Sequence, residues 1–408
     1  MRIIVAGAGI GGLAAAIALH GLGHDVVVLE AAAEILPLGV GINLLPHAAQ
    51  VLDRHGLLGD LSASAVATCE LAYFNRHGQR IWSEPRGRFA GFAAPQLSLH
   101  RGALQLGLYE AARARLGAER IVLDQRVVGF EQDEQGVRVF TKTGGRVGAV
   151  ATGDLLVAAD GIHSTIRAAF YPREGPPAYS GRVLWRGMTR AAPFLGGATM
   201  IMAGHQNQKF VAYPIGPLEA DGRQPINWIA ELPVAQMLNR EDWNRRGRLE
   251  DFLPPFEAWA FDWLDVPGLI DGAEAVFEFP MVDRDPVPRW SHGRVTLLGD
   301  AAHPMYPIGS NGASQAILDA AALARALAGA SEGVAALAAY EAERLPATAA
   351  IVRANRGNGP EQCMQLAEER APEGFASIDE VFAPGELQAI ADSYKVLTGL
   401  DRAKERLG

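Results

Sequence analysis

The glycine-rich segment GAGIGG near the N-terminus restricts the fold more than any other part of the chain. A strand-like apolar run at residues 2–6 precedes it, and a helical pattern and a second strand-like run at residues 26–29 follow. In the GxGxxG pattern, Gly7 allows a tight turn, Gly9 lets backbone approach a pyrophosphate, and Gly12 lets helix and strand pack closely. Together these features predict a βαβ unit that binds a dinucleotide.

The residues around this turn strengthen the dinucleotide prediction. Ile10, Gly11 and Gly12 begin the predicted helix, whose free N–H groups and positive dipole end favour phosphate. Glu30 ends the second strand at the spacing of an acid that accepts hydrogen bonds from a ribose. A plain glycine turn between strand and helix would not explain this acid.

A second glycine-containing segment, GDAAHPMYPIGSNGASQAILD at residues 299–319, lies near the other end of the chain. One nucleotide site needs only one such cluster, so two distant clusters suggest one long cofactor held at both halves. FAD is such a cofactor, and no His or Cys is evidently placed to attach it covalently. Asp300, at the end of a strand-like run, is predicted to accept from the ribityl hydroxyls. Its alternative role is to cap residues 301–303.

A third motif, Asp160-Gly161, closes the strand-like run 154–159 and is also predicted to contact the cofactor. Ser164 and Arg167 follow it. In the alternative interpretation, Ser164 caps a short helix and Arg167 is a surface residue.

The order of these patterns predicts an α/β fold. We expect a discontinuous Rossmann-like FAD-binding domain, an inserted β-rich substrate domain and a C-terminal helical segment. Residues 179–280 are rich in Trp, Phe, Pro and alternating β-type residues, which favours a mostly antiparallel sheet. The predicted boundaries are 1–72, 97–178 and 281–345 for the FAD-binding domain, 73–96 and 179–280 for the substrate domain, and 346–408 for the helical tail.

Composition and missing motifs exclude several classes of protein. The net charge of −9 and scattered arginines argue against a nucleic-acid partner. No apolar run is long enough to span a bilayer, and the two cysteines, Cys69 and Cys363, favour a reducing cytoplasm. No spacing of Cys and His typical of a metal site appears, and neither His163 nor His303 accompanies an obvious nucleophile.

The three motifs, in this order, resemble those of the class A FAD-dependent aromatic monooxygenases, the para-hydroxybenzoate hydroxylase type. The resemblance extends to about residue 340. Within that family, shorter segments are most similar to the monooxygenases of phenazine carboxylates: VGIN at 40–43, WSEPRG at 82–87, HRG at 100–102, WRG at 185–187 and MVDRDP at 281–286.

The resemblance implies further FAD contacts and one departure. The implied contacts are Arg101 at the pyrophosphate and ribityl region, Val127 near adenine, Val40 and Gly41 beside the isoalloxazine ring, and Gly312 and Ala313 at its pyrimidine edge. The departure is Ser314, where many members carry Asn. A hydroxyl does not reproduce the paired contacts of an amide, which puts a direct flavin contact at this position in doubt.

The reaction implied by the resemblance is hydroxylation of an aromatic or heteroaromatic substrate, such as a carboxylated, phenazine-like one. NADH or NADPH reduces FAD, O2 adds, and a flavin C4a-hydroperoxide transfers one oxygen. No second dinucleotide fold is expected for the nicotinamide. Two alternatives remain: a reductase or cyclase of the same fold, and a flavin-binding regulatory protein without catalysis.

Partners are expected to be the small aromatic substrate, O2 and NAD(P)H, in a monomer or homodimer. The substrate is expected between the flavin and the β-rich domain, in a dry cavity. Trp228 is expected in the core rather than at this cavity. The candidate pocket walls are Trp185, Tyr213, Met305, Tyr306 and Pro307.

Overall fold

A six-stranded, mostly parallel sheet contains the N-terminal strand. The structure is a computed structural model, and it describes residues 1–144, 146–235, 245–357 and 359–399. All neighbouring strands of this sheet pair in parallel except the edge pair β20–β21. In spatial order the strands are β20 (Ser291–His292), β21 (Val295–Leu297), β12 (Leu155–Ala158), β1 (Arg2–Ala6), β2 (Asp25–Leu29) and β8 (Ile121–Val122).

The βαβ unit predicted from the glycine pattern is present at the centre of this sheet. Helix α1 (Ile10–His20) connects β1 to β2, and the apolar side chains of both strands are buried. Gly7 has a φ of +104°, a conformation that L side chains rarely adopt. A Cβ on Gly12 would lie 2.1 Å from the carbonyl oxygen of Gly7, so only glycine fits where helix and turn meet.

A second large sheet has seven strands and forms the wall opposite the glycine turns. Its strands pair antiparallel except β14 with β5. In spatial order they are β19 (Val276–Asp283), β13 (Ala178–Ala191), β16 (Gln224–Pro233), β15 (Gln208–Pro214), β14 (Thr199–His205), β5 (Glu70–Phe74) and β6 (Arg80–Pro85).

Three smaller sheets, nine further α-helices and nine short 3-10 helices complete the described chain. The first smaller sheet contains β3 (Gly41–Leu44), β7 (Leu97–His100) and β4 (Val66–Ala67). The second contains β9 (Arg126–Gln132), β10 (Val137–Thr143) and β11 (Arg146–Gly153). The third contains β17 (Ala260–Phe261) and β18 (Leu264–Asp265). The helices are α2 (Pro46–Arg54), α3 (Leu58–Ala63), α4 (Arg101–Leu116), α5 (Thr165–Phe170), α6 (Val266–Asp271), α7 (Gly312–Gly329), α8 (Gly333–Arg356), α9 (Gln362–Arg370) and α10 (Glu386–Thr398).

The mixed α/β architecture predicted from the sequence is confirmed. The domain boundaries stay a prediction. Four of them, after residues 72, 178, 280 and 345, fall inside β5, β13, β19 and α8. Helix α8 continues through Pro346 to Arg356, although a proline usually ends a helix. Buried residues lie on both sides of this proline. No helix in the described ranges combines the length and hydropathy needed to cross a membrane.

Candidate active site

A cavity, called the main cavity because all three predicted motifs line it, lies between the glycine turns of the parallel sheet and one face of the seven-stranded sheet. Its volume is about 370 Å³. Residues of the N-terminal glycine turn, the Asp160-Gly161 segment and the 299–313 segment all line it, although they are far apart in sequence. The structure therefore brings the three predicted motifs to one site.

The N-terminal glycine turn forms a cradle at this cavity. Gly9, Ile10, Gly11 and Gly12 line it, and a Cβ on Gly9 would have no heavy atom within 4 Å. The N-terminus of α1 therefore opens onto free space of the kind that a pyrophosphate occupies.

Glu30 lies beside the glycine turn, outside the main cavity. One carboxylate oxygen accepts from the amide of Ala8 at 2.6 Å and the other from the amide of Ala32 at 2.8 Å. Each oxygen has a further lone pair for a ribose hydroxyl. Val127, the predicted adenine neighbour, lies buried in β9 and does not line the main cavity.

The Asp160-Gly161 segment is fixed by its own short helix. Asp160 Oδ2 accepts from the amide of Thr165 at 2.9 Å, and Ser164 Oγ accepts from the amide of Arg167 at 2.9 Å. Burial raises the pKa of Asp160, against hydrogen bonds that lower it. Gly161 lines the main cavity, whereas the carboxylate of Asp160 stabilises the turn.

Arg167 is buried, so its interpretation as a surface residue is wrong. Its side chain is 1% exposed and pairs with Glu174. Its Nη1 atom donates to the carbonyl oxygens of Ala301 at 3.0 Å and Ala302 at 2.7 Å. Arg167 thus joins the Asp160-Gly161 segment to the turn that carries Asp300, while the capping role of Ser164 is the one that the structure shows.

Asp300 projects into the main cavity from the turn after β21. Its side chain is accessible from the cavity, although protein surrounds the cavity on most sides. The surrounding protein raises the pKa of Asp300, and the charges of His303 and Arg101 act in the opposite direction. No hydrogen bond within the described chain occupies its carboxylate. Asp300 is therefore available to accept from hydroxyl groups of a bound molecule.

The Val40–Gly41 segment connects the two walls of the cavity. Val40 accepts from the amide of Arg101 at 2.9 Å. The Gly41 amide donates to Asn227 Oδ1 at 2.7 Å, and Arg186 Nη2 donates to the Gly41 carbonyl at 2.7 Å. A Cβ on Gly41 would lie 2.5 Å from that of Asn227, so the close approach requires glycine.

The N-terminus of α7 faces the same cavity through Gly312 and Ala313. Ser314, the position of the expected departure, is fully buried and does not line the main cavity. Its Oγ accepts from the amide of Leu45 at 3.0 Å. The hydroxyl therefore serves to hold the loop before α2.

Of the five candidate pocket walls, four line the main cavity and Trp185 does not. The four are Tyr213, Met305, Tyr306 and Pro307. Trp185 lies on the opposite face of β13, where it stacks on Phe252 with ring centroids 5.1 Å apart. Side chains alternate along a strand, so the neighbours of Trp185 face the cavity instead. Trp228 lies in the core, as expected.

The residues that sequence reasoning missed are charged or amide side chains on the cavity face of the sheet. Arg186 follows Trp185 directly, so the alternation of a strand places the two side chains on opposite faces, but it does not show which face meets the cavity. The burial of Arg186 lowers its pKa, and its Nε atom has no partner in the part of the chain that the structure describes. Tyr213, whose pKa is raised by burial, neighbours Arg186.

A buried ion cluster lines the end of the main cavity. Lys209 Nζ lies 2.7 Å from Glu231 Oε2 and 2.6 Å from Glu361 Oε2. Burial alone would lower the pKa of Lys209, but the two carboxylates outweigh it and raise that pKa; burial raises the pKa of Glu361. Arg182 Nη1 lies 3.6 Å from Glu231 Oε1, which brings the charge of the cluster close to balance.

These residues fit a bound FAD. The cradle at Gly9 and the N-terminus of α1 match the anionic part of this cofactor. The carboxylate of Asp300 matches its hydroxyl-bearing part, and the N-terminus of α7 matches its ring. The fold and this site define a flavoprotein. The chain belongs to the family described as the FAD binding domain, which it matches over residues 1–355.

The chain is similar over most of its length to known hydroxylases. The chain is 46% identical over 400 residues to the phenazine 1,6-dicarboxylic acid hydroxylase PhzS of Lysobacter antibioticus, covering 96% of both chains. It is 32% identical to the 3-hydroxybenzoate 6-hydroxylase of Polaromonas naphthalenivorans, covering 88% of this chain and 87% of that one. The prediction of a FAD-dependent monooxygenase that uses NAD(P)H is confirmed, and neither alternative function is favoured.

Solved structures agree on the fold. The 2,6-dihydroxypyridine-3-hydroxylase of Arthrobacter nicotinovorans superimposes with a TM-score of 0.72 at 25% identity, covering 94% of this chain and 95% of that one. HpxO of Klebsiella pneumoniae, complexed with FAD and uric acid, gives a TM-score of 0.74 at 24% identity, covering 99% and 95%.

Proposed function

We propose that this protein hydroxylates a planar, fused-ring heteroaromatic carboxylate of the phenazine type in the main cavity. The observation that carries the proposal is the buried Nε of Arg186, which has no acceptor among the described residues. A buried guanidinium N–H is an expensive group to leave unpaired, and a carboxylate is its natural acceptor. The name and 46% identity of the Lysobacter enzyme support the same ligand class.

The shape of the sheet wall supports a fused-ring substrate. Tyr213 and Lys209 lie four residues apart on β15, which corresponds to roughly 13 Å along the strand. Between them the wall is apolar, with Val211, Ile229 and Met202 facing the cavity. We infer that the ring system lies along this apolar wall, with its carboxylate at Arg186.

The protein residues position the substrate and exclude water. FAD, when bound, supplies the redox and oxygen-transfer chemistry. Arg186 would hold the carboxylate while it also fixes Gly41 through its Nη2 atom. Met305, Tyr306 and Pro307 line the cavity. The balanced charges around Lys209 avoid a strong electric field where they line it. We also propose a cytoplasmic monomer or homodimer, in keeping with two free cysteines.

The reaction is tested with a panel of aromatic and heteroaromatic acids. NAD(P)H oxidation and O2 uptake are followed with purified holoenzyme, and the product mass is measured. We expect a fused-ring carboxylate such as phenazine-1,6-dicarboxylate to accelerate NAD(P)H oxidation and to gain one oxygen. Single-ring phenols as the only accepted substrates would contradict the proposal.

Replacing Arg186 with Gln should raise the KM for a carboxylated substrate by about tenfold, because a charge-assisted hydrogen bond is lost. The KM for the corresponding carboxamide should change much less. Arg190→Gln is the matched control, since Arg190 lies on the same strand but is exposed and pairs with Glu219. Equal effects of Arg186→Gln on acid and amide would show that Arg186 does not bind the carboxylate.

Tyr213→Ala should uncouple NAD(P)H oxidation from hydroxylation by several-fold while FAD stays bound. The enlarged cavity admits water, so more of the consumed O2 leaves as hydrogen peroxide. The measurement is the ratio of hydroxylated product to NAD(P)H oxidised, with a peroxide assay. Trp185→Phe, on the other face of the sheet, should keep the wild-type ratio. Unchanged coupling in Tyr213→Ala would place the substrate elsewhere.

A further inference from the structure

The motif WSEPRG at residues 82–87 lines a second cavity that the flavin site does not use. We name it the Trp82 cavity. Strand β6 ends within the motif, and helix α10 forms the opposite side. The volume is about 510 Å³, and Trp82, Pro85 and Phe92 supply flat apolar walls. The space and its walls suit a planar ring system.

Three buried N–H groups at the Trp82 cavity have no acceptor within the described residues. They are Nε1 of Trp82, Nε of Arg86 and Nε2 of Gln96. Gln96 is only 1% exposed. Buried donors are paired in nearly all native structures, so three unpaired donors around one cavity indicate an acceptor that comes from outside the chain.

The wall of the Trp82 cavity also contains charged side chains. Arg86 Nη1 lies 2.8 Å from Glu84 Oε1, and Lys395 Nζ lies 2.5 Å from Glu84 Oε2. Two cations therefore share one buried carboxylate. The remaining acid, Asp392, lies 3.4 Å from Lys395, but its side chain is 54% exposed and is screened by solvent. The two cations and two acids balance in number, so the three unpaired N–H groups, rather than a net charge, favour a carboxylate as the acceptor.

The Trp82 cavity lies next to the main cavity. Glu84, Arg86 and Lys395 line both the Trp82 cavity and a small void of about 10 Å³. Met200, Met202 and Ser310 line both this void and the main cavity. The void is too small for a ring system, so the two cavities are neighbouring sites that a thin layer of side chains separates.

We propose that the Trp82 cavity is a second binding site for a planar aromatic carboxylate. The rings would lie against Trp82 and Phe92, and the carboxylate would accept from the N–H groups of Trp82, Arg86 and Gln96. The site would hold substrate or product beside the main cavity. Only the choice of ligand rests on the proposed function, because the unpaired donors are independent of the hydroxylation reaction.

The test is a binding measurement on the holoenzyme without NAD(P)H. Equilibrium dialysis against phenazine-1,6-dicarboxylate counts the molecules bound per FAD, and the flavin absorbance reports occupancy of the main cavity separately. We expect a second equivalent that leaves the flavin spectrum unchanged. Trp82→Phe keeps the ring but removes the N–H, and should weaken this second equivalent about tenfold or more.

The controls separate this site from the proposed function. Gln96→Leu provides a second variant of similar volume, and Trp263→Phe is a matched control because Trp263 donates to Gly78 away from both cavities. A second equivalent lost in Trp82→Phe and Gln96→Leu supports the site even if the probe is not hydroxylated. Two results overturn the second site. One is a single bound molecule per FAD that perturbs the flavin spectrum, and the other is a second bound molecule that both variants retain at full affinity.

Discussion

Asp319→Asn should lower the free energy of unfolding by about 3–5 kcal/mol, because it removes the acid from a buried ion cluster. Asp319 is fully buried on α7. Its carboxylate accepts from His303 Nε2 at 2.5 Å, from Arg344 Nε at 2.7 Å and from the amide of Gly299 at 3.1 Å. The substitution leaves the guanidinium of Arg344 buried without its counter-charge.

The measurement is urea unfolding of holoenzyme at a fixed excess of FAD, since bound cofactor itself adds stability. Glu343→Gln is the matched control. It breaks the pair between Arg325 and Glu343, which joins the same two helices but is more than half exposed, and should cost at most about 1 kcal/mol. A loss for Asp319→Asn no larger than for Glu343→Gln would contradict the assignment.

The effect of Asp319→Asn should depend on pH in a stated direction. Burial by itself raises the pKa of Asp319, but His303 and Arg344 outweigh it, and the pKa lies below the ordinary value. An acid with a depressed folded-state pKa stabilises the fold above its unfolded pKa of about 3.9. The difference between wild type and variant should therefore be complete above about pH 4. It should shrink as the pH falls through the folded-state pKa.

The parts of the fold that local chemistry determines were predictable from the sequence. Gly7 and Gly12 are required by a turn conformation and a close contact within one βαβ unit, so their spacing reports that unit directly. Asp160 and Asp300 follow β12 and β21, which are neighbours in a parallel sheet. Because ligands bind at the carboxyl ends of such strands, their shared location follows from the strand order.

The parts of the site that depend on packing between distant segments were not predictable in the same way. Strand β13 is largely buried along its central part, so its sequence does not show which face meets the cavity. The prediction therefore placed Trp185 at the cavity, where the structure has Arg186. Glu361 belongs to the predicted helical tail, where no candidate site residue was placed, yet it pairs with Lys209 on β15. Nothing local to residue 361 predicts this pairing across the fold.

Asp300→Ala should weaken FAD binding by about ten- to hundredfold, and more than Asp160→Ala does. The carboxylate of Asp300 faces the main cavity and accepts no hydrogen bond from the described chain, so its full capacity is available to the ribityl hydroxyls. Loss of a hydrogen bond to a charged group corresponds to roughly that change in affinity. Asp160, by contrast, is already engaged with the amide of Thr165.

The dissociation constant for FAD is measured by the recovery of flavin fluorescence when holoenzyme is diluted or denatured in parallel samples. Asp300→Asn is the matched control, because it keeps an acceptor of the same shape without the charge and should give an intermediate affinity. Thermal unfolding of each apoprotein separates a lost FAD contact from a damaged fold. Asp160→Ala is expected to lower stability by loosening the start of α5, with a smaller change in affinity. If Asp300→Ala retains FAD as tightly as wild type, or if Asp160→Ala has the larger effect on affinity, Asp300 does not bind the ribityl chain.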